Sequence, residues 1–285
     1  MTRNRWWGLC LLFMAFMAVA GVSRKEVLQQ MELSLLVTGS VDIEPDGHVS
    51  AYVVDQPEKL PGGVRELIAK NVPKWRFEPI LVDGKAVSAR AKMSLHVVAK
   101  RVDDDRFDAT IDAANFGTGE QVPGVDLTVK EMKPPKYPKW AVMNGFKGTV
   151  YLVLRVDRQG AVEDVVVEQV NLRTAGTPKQ MELGRNHLSR AALDAAKAWT
   201  FVPPTKGENA KQESWSIRVP VDYSLEGEDR TQKYGRWQAY IPGPRQGIPW
   251  DTGEDGNASS PDALADGDIY MIGAGPRLLT PLGQG

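Results

Sequence analysis

The sequence from 136 to 223 constrains the fold of this chain more than any other stretch. Apolar side chains alternate with others along 150–156, which is the two-residue period of a half-buried β-strand. A turn at 158–160 leads into a second β-branched run, as in a β-hairpin. Apolar residues on one face of 188–199 predict a helix, and a closing strand follows at 215–223. Because two strands alone are marginally stable in water, we predict one α+β unit in the order hairpin, helix, strand.

The landmarks of this stretch resemble the C-terminal domain of the TonB family, the energy transducers of Gram-negative envelopes. The family pattern has a Tyr-Pro-x-x-Ala start, a Gly-x-Val strand entry, an Asp-x-x-Gly-x-Val hairpin and a Trp-x-Phe-x-Pro helix exit. In this chain the corresponding residues are Tyr137, Pro138, Ala141, Gly148, Val150, Asp157, Gly160, Val162, Trp199, Phe201 and Pro203. The resemblance covers 136–226 and implies a TonB C-terminal domain there.

The resemblance also implies a peptide-binding edge on the closing strand. In TonB domains as a family, the last strand captures the short N-terminal segment of an outer-membrane receptor, which joins the sheet as an extra strand. Carried over to this sequence, the capturing residues are Ser214, Trp215, Ser216, Ile217, Arg218, Val219, Asp222 and Tyr223. A sheet of three strands does expose two edges with unpaired backbone groups. Pro220 lies inside the closing strand and removes one backbone donor from it.

A second, degenerate copy of the unit is predicted at 24–107. An Asp-Gly turn at 46–47 joins two β-branched runs, and a helical face follows it. The Trp-x-Phe triplet at 75–77 then matches the triplet at 199–201, and the closing strands match at the same offset. Internal similarity of this kind indicates two tandem copies of one supersecondary unit. We expect both tryptophans to fill the core where helix meets sheet.

The remaining segments are predicted to target the chain, to connect the two units or to extend beyond them. In residues 1–23, two arginines precede an uncharged run at 6–22, which is typical of a cleaved signal peptide or of an uncleaved anchor. Both alternatives place the rest of the chain in the periplasm, because the arginines stay in the cytoplasm. Residues 108–135 are predicted to be a linker, with an added strand at 107–116 as an alternative. Residues 227–285 are rich in Gly and Pro, which predicts a disordered tail.

Composition and motifs argue against catalysis, metal binding and nucleic-acid binding. The formal net charge of −1 provides no field that would attract a polyanion, and the single cysteine, Cys10, excludes an intramolecular disulfide. His48, His96 and His187 are not clustered as metal ligands are. We predict that His48 and His96 lie at the surface or at a sheet edge. No nucleophile with a base is evident, so we expect no enzyme activity, no metal and no cofactor.

Three functions agree with these observations. The first is a TonB-type energy transducer for transmembrane transport, which binds outer-membrane receptors and couples to inner-membrane motor proteins through an uncleaved anchor. The second is a soluble periplasmic module that binds another extended peptide, or pairs with itself, without motor coupling. The third is a structural scaffold whose sheet edges are sealed by the tail and the linker.

Overall fold

The computed structural model describes residues 31–82, 84–101, 107–117, 124–225, 234–250, 261–264 and 269–282. These residues form a mixed α and β structure made mostly of strands. The strands are β1 (Glu32–Ile43), β2 (Val49–Val54), β3 (Leu81–Val82), β4 (Lys85–Ala86), β5 (Ala89–Arg101), β6 (Phe107–Gly117), β7 (Thr128–Glu131), β8 (Gly148–Asp157), β9 (Val162–Leu172), β10 (Thr200–Val202), β11 (Ser214–Tyr223), β12 (Gln238–Tyr240) and β13 (Tyr270–Met271). The α-helices are α1 (Gly62–Asn71), α2 (Lys139–Met143) and α3 (Pro178–Ala196).

The N-terminal sheet has the strand order β12-β1-β5-β6. Strand β12 pairs with the start of β1, and β2 pairs with the later part of β1. All of these neighbouring strands are antiparallel. Helix α1 buries the apolar face that the sequence predicts, which includes Val64 and Ile68. Trp75 and Phe77 follow the helix, are buried, and pack edge-on against Phe116 of β6. Trp75 therefore fills the core in the predicted way.

The C-terminal sheet has the strand order β13-β11-β8-β9, again antiparallel throughout. Strands β8 and β9 form the predicted hairpin, and α3 packs against both. The apolar pattern predicts this helix only from Leu188, whereas α3 starts at Pro178. A capping box explains the earlier start, because Thr177 and Gln180 satisfy each other's backbone donors. Trp199 is buried at the helix exit, as predicted.

The predicted linker at 108–135 contains two strands, so this prediction is corrected for the residues that the structure describes. Strand β6 pairs with β5 from Lys92 to Arg101 and extends the N-terminal sheet. Strand β7 pairs with β10, at the exit of α3. Polar and small side chains are interspersed along β6, which weakens its local strand signal, whereas its backbone pairing with β5 is continuous apart from one bulge.

The described parts of 227–285 pack against both sheets, so the prediction of a disordered tail is wrong for them. Strand β12 pairs with β1, and Ile241 bridges to Leu172 at the end of β9. Strand β13 pairs with β11, and Leu278 bridges to Phe77. Because the apolar residues of the tail contact separate, distant elements, they have no local period that a sequence pattern could reveal.

Residues 1–23, predicted to be a signal peptide or an anchor, lie outside the described residues. Within the described ranges, no helix combines the length and apolar character needed to cross a membrane. The targeting role of 1–23 therefore stays a prediction from sequence.

A close contact joins the hairpin turn to the helix exit in each sheet. Gly160 has a φ of 80°, and its carbonyl accepts a hydrogen bond from Phe201 N at 2.8 Å. A Cβ at Gly160 would lie 2.0 Å from Phe201 O. In the N-terminal sheet, Gly47 has a φ of 83° and accepts from Phe77 N at 2.7 Å. Both turns therefore need glycine for the backbone conformation and for the close approach.

We predict that Gly160→Ala lowers the free energy of unfolding by about 2 kcal/mol or more, because left-handed strain adds to the overlap with Phe201 O. Gly63→Ala is the matched control, since Gly63 is exposed in α1 and nothing lies near its Cβ position. The control should leave stability unchanged or raise it by up to about 1 kcal/mol. Urea unfolding followed by tryptophan fluorescence measures both variants. Equal effects would contradict the importance of the turn contact.

Candidate functional site at strand β11

Strand β11 lies inside the C-terminal sheet rather than at its edge. On one side it pairs with β8 along its whole length. On the other side, Ile217 and Arg218 pair with Met271 and Tyr270 of β13. The sequence predicts an open edge here, and the structure corrects this prediction, because the chain's own tail lies on the outer side of β11.

The backbone groups of β11 that face β13 belong to even-numbered residues. The carbonyl of Ser216 accepts a hydrogen bond from Ile272 N at 2.8 Å, and backbone direction alternates with a two-residue period. The backbone groups of Arg218 and Asp222 therefore point to the same outer side. Pro220 shares this orientation, so its missing N–H affects the outer side and leaves the ladder with β8 intact. A strand added to the outer side must pair around Pro220.

Half of the predicted contact residues have side chains in the core beneath the sheet. These are Trp215, Ile217, Val219 and Tyr223. The indole of Trp215 donates to Asn209 O at 3.0 Å, and the hydroxyl of Tyr223 donates to Leu188 O at 3.2 Å. Burial raises the pKa of the Tyr223 hydroxyl. These side chains hold β11 in place, so a partner at this edge would bind mainly through the β11 backbone.

On the opposite face of β11, Arg218 and Glu168 form a buried ion pair. Arg218 is 5% exposed and Glu168 is 1% exposed, and Arg218 Nε donates to Glu168 Oε2 at 2.8 Å. Arg245 in the tail donates through Nη2 to the other oxygen of the same carboxylate at 2.7 Å. Losing one partner of a buried pair leaves an uncompensated charge, so such pairs strongly favour the arrangement that keeps them together. This cluster therefore connects the tail to β9 and β11.

Asp222, near the end of β11, is held by two neighbours from this chain. The Arg173 guanidinium lies 2.5 Å from Asp222 Oδ1, and the Ser224 hydroxyl donates to the same carboxylate. Arg173 also donates to the hydroxyl of Thr149 in β8 at 3.1 Å. The Asp222 side chain therefore links β8, the end of β9 and β11.

Two motif residues fix the segment that precedes the C-terminal sheet. The hydroxyl of Tyr137 donates to Phe146 O at 2.8 Å, and its ring packs edge-on against Tyr223 of β11. The indole of Trp199 donates to Lys133 O at 2.9 Å. These contacts bring the Tyr-Pro segment next to the end of β11 and to the helix exit.

The other motif residues shape the backbone around this core. Pro138 caps the first turn of α2. Gly148 begins β8, where a Cβ would lie 2.3 Å from Asn171 O on the neighbouring strand. Pro203 follows buried Phe201 and lies near the turn at Gly160. These motif residues therefore specify the backbone fold around β11.

The tail also crosses the sheet face next to β11. Gln246 N donates to Glu168 O at 2.7 Å. Farther along, the indole of Trp250 donates to the Ser216 hydroxyl at 3.0 Å, and the Arg155 guanidinium lies 5.4 Å from the Trp250 ring centroid. This tail segment therefore runs from β9 across to β11.

A cavity of about 320 Å³ lies where both sheets and the tail meet, and its walls include His96, Tyr151 and Asp262. His96 is 4% exposed, so the prediction that it lies at the surface or at an edge is wrong. The reason is that β6 makes β5 a central strand, and that the His96 ring faces the cavity and packs edge-on against Tyr240. His48, in contrast, lies at the predicted turn with a partly exposed side chain.

Asp262 enters this cavity from the tail. Its carboxylate accepts hydrogen bonds from Asn171 Nδ2 and, at 3.4 Å, from Gln169 Nε2. Burial raises the pKa of the Asp262 carboxyl above its ordinary value. In the part of the chain that the structure describes, no group of three or more His, Cys, Asp or Glu side chains could hold a metal ion.

Residues 133–225 match the family model of the Gram-negative bacterial TonB protein C-terminal. Protein TonB of Xanthomonas campestris pv. campestris is 38% identical over 102 residues, which are 35% of this chain and 39% of that protein. Protein tonB2 of Pseudomonas aeruginosa is 33% identical over 91 residues, 32% of this chain and 28% of that protein. The chain thus covers well under half the length of these relatives. No solved structure gives a significant match.

The match confirms the TonB resemblance that the motif residues predict for 136–226. The TonB-like segment contains α2, α3 and the strands β8 to β11, whereas β7 lies just before it. Sequence reasoning missed the Glu168–Arg218 pair within it. The sequence signal was weak, since both strands carry other polar and charged residues and the two partners are 50 residues apart.

We predict that Asp262→Asn stabilises the protein above about pH 4. The folded-state pKa of Asp262 is raised above the ordinary 3.8, so the unfolded chain loses this proton first as pH rises. Asp262 therefore lowers stability as pH rises from the unfolded pKa through the folded pKa. Asparagine cannot ionise, so the variant does not lose stability in this way as pH rises.

Free energies of unfolding measured from about pH 4 to about pH 8 test this prediction. The Asp108→Asn variant on β6 is the control, because it makes the same change of side chain at an exposed position. If the Asp262→Asn variant shows the same pH dependence as the control, the carboxyl does not titrate with a raised pKa.

Proposed function

We propose that this chain is a TonB-like periplasmic protein that binds outer-membrane receptors by strand addition to β11, in energy transduction for transmembrane transport. The observation that carries the proposal is the antiparallel pairing of β13 with the outer side of β11, because it demonstrates an extended segment seated on that side. The similarity of 133–225 to TonB C-terminal domains supports an outer-membrane receptor as the partner.

The outer side of β11 suits a partner that binds through its main chain. The core-facing side chains of β11 are already buried, so a visiting strand meets the backbone groups of Ser216 and Arg218. Strand addition of this kind takes its affinity from main-chain hydrogen bonds and its specificity from alternate side chains. The TonB family transduces energy without catalysis, and we propose the same here, with no catalytic residue, metal or cofactor.

We further propose that the chain contains two tandem copies of the TonB-like unit. Gly39 and Gly148 occupy matching places in the two hairpins, where a Cβ would lie 2.1 Å or 2.3 Å from a carbonyl oxygen of the second strand. The turns at Gly47 and Gly160 each accept a backbone hydrogen bond from the Phe of the Trp-x-Phe triplet that follows the helix. Two independent constraints that recur at the same places of the unit support duplication.

Only the second copy is assigned to receptor binding. The last strand of the first copy, β5, has β1 on one side and β6 on the other. The pairing with β6 runs from Lys92 to Arg101, which occupies the side where a visiting strand would add. In the second copy, the described pairing with β13 is limited to Ile217 and Arg218.

The proposed location is the periplasm, with the run at 6–22 serving as a membrane tether or as part of a cleaved signal. A tether would permit coupling to inner-membrane motor proteins, whereas cleavage would leave a soluble binding module. The pairing of β13 with β11 also favours a second candidate, a self-sealed scaffold that binds no receptor. The mature N-terminus distinguishes tether from signal, and the peptide titration below tests the scaffold.

We predict that a receptor peptide shifts the amide signals of Ser216, Arg218 and Asp222 more than those of Ile217 and Val219. The first three amides point to the outer side of β11 and the last two point to β8. Amide proton–nitrogen correlation spectra of the full chain, titrated with short synthetic peptides from receptor N-termini, measure this difference.

The amides of β5 in the first copy are the internal control, because β6 covers that strand. They should not respond, and scrambled peptides should leave β11 unchanged. If no receptor peptide alters the β11 amides, or if odd and even positions respond alike, strand addition at β11 is not the binding mode.

A further inference from the structure

Strand β13 pairs with β11 as a short peptide ligand would. Its residues pair antiparallel with Ile217 and Arg218, and Ile272 N donates to Ser216 O at 2.8 Å. Two of the tail side chains here, Ile269 and Met271, pack against the core of the C-terminal sheet. Because they are two positions apart, they lie on the same face of the extended segment.

The pairing between β13 and β11 is short compared with the other strand pairings of the C-terminal sheet. Strand β11 pairs with β8 along its entire length, whereas β13 pairs with it at Ile217 and Arg218 in the described residues. A typical hydrogen bond contributes only about 1 kcal/mol net, so exchanging so short a ladder for a longer one is favourable. The pairing of β13 is therefore suited to exchange.

The tail is also anchored on both sides of β13. Before it, Trp250 and Arg245 contact Ser216 and Glu168. After it, Leu279 N donates to Arg76 O at 2.8 Å in the N-terminal sheet. A tethered segment of this kind acts at an effective concentration that can reach the order of millimolar, so it competes strongly with a free peptide.

We propose that β13 is a resident strand that occupies the receptor-binding edge, and that a partner strand must displace it to pair with β11. This inference rests on the proposed function. It also specifies the partner, which is an extended segment with apolar side chains at alternate positions that replace Ile269 and Met271 on the core. The tail therefore lowers the affinity of β11 for partner segments. Only a segment that has the same alternation of apolar side chains and pairs over a longer stretch displaces β13.

The test uses a fluorescent peptide that copies residues 266–275 as a probe for the vacated edge. Ile272→Pro removes the amide that donates to Ser216 O, and Ile272→Ala keeps this amide while it trims the side chain. We expect the full chain with Ile272→Pro to bind the probe about fivefold more tightly than the natural chain. The Ile272→Ala chain should bind it less tightly than the proline variant.

The side-chain pattern of the partner is tested in the probe itself. Met271→Asp in the peptide places a charge on the core side and should abolish binding to the Ile272→Pro chain. Tyr270→Asp, one position away and on the other face, should weaken binding less. Equal losses would overturn the proposed apolar pattern.

A receptor N-terminal peptide titrated into the same three chains separates this inference from the proposed function. Tighter receptor binding by the Ile272→Pro chain supports both. Equal receptor binding by all three chains, or a probe that never binds the proline variant, overturns the resident strand and leaves receptor binding standing. A probe that binds the proline variant while no receptor peptide binds any chain overturns the proposed function.

Discussion

The edges of β-sheets carry backbone groups that need partners, and this chain pairs three of its strands with further segments of itself. Strand β6 closes β5, β12 adds to β1, and β13 adds to β11. Two of these three closing strands come from the tail. The two sheets and the tail are consequently held together by backbone pairing as well as by apolar contacts.

The two Trp-x-Phe segments pair with different parts of the chain. After α3, the exit strand β10 pairs with β7 in a separate two-stranded sheet, and β7 precedes the TonB-like segment in sequence. In the N-terminal sheet, the equivalent segment pairs with tail residues instead, through the bridge between Phe77 and Leu278. The tail thus pairs with the segment that follows α1, whereas β7 pairs with the strand that follows α3.

Local patterns were sufficient to predict the hairpins, the buried faces of α1 and α3, and the core positions of Trp75 and Trp199. Each of these depends on residues close together in sequence, so a two-residue or helical period reveals them. The turn glycines were visible for the same reason.

The features that local patterns missed all depend on distant partners. His96 is buried because its strand is central in the sheet and its ring packs against Tyr240, which is distant in sequence. The pairing of β13 with β11 joins residues that are far apart in sequence, so no periodic pattern reveals it. The Asp262 carboxyl lies in a cavity formed by both sheets and the tail, so neither its burial nor its raised pKa could be read from neighbouring residues.

The occupation of β11 by the tail is the central claim, and one measurement tests it most directly. Ile217 and Met271 are a pair whose backbone groups point away from each other, and in such antiparallel pairs the Cα atoms lie about 4.5 Å apart. We therefore expect a strong nuclear Overhauser effect between their Hα protons in the free chain. We predict that this signal disappears when a receptor peptide binds. Its absence from the free chain, or its persistence with peptide bound to β11, would contradict the occupation of β11 by a displaceable tail strand.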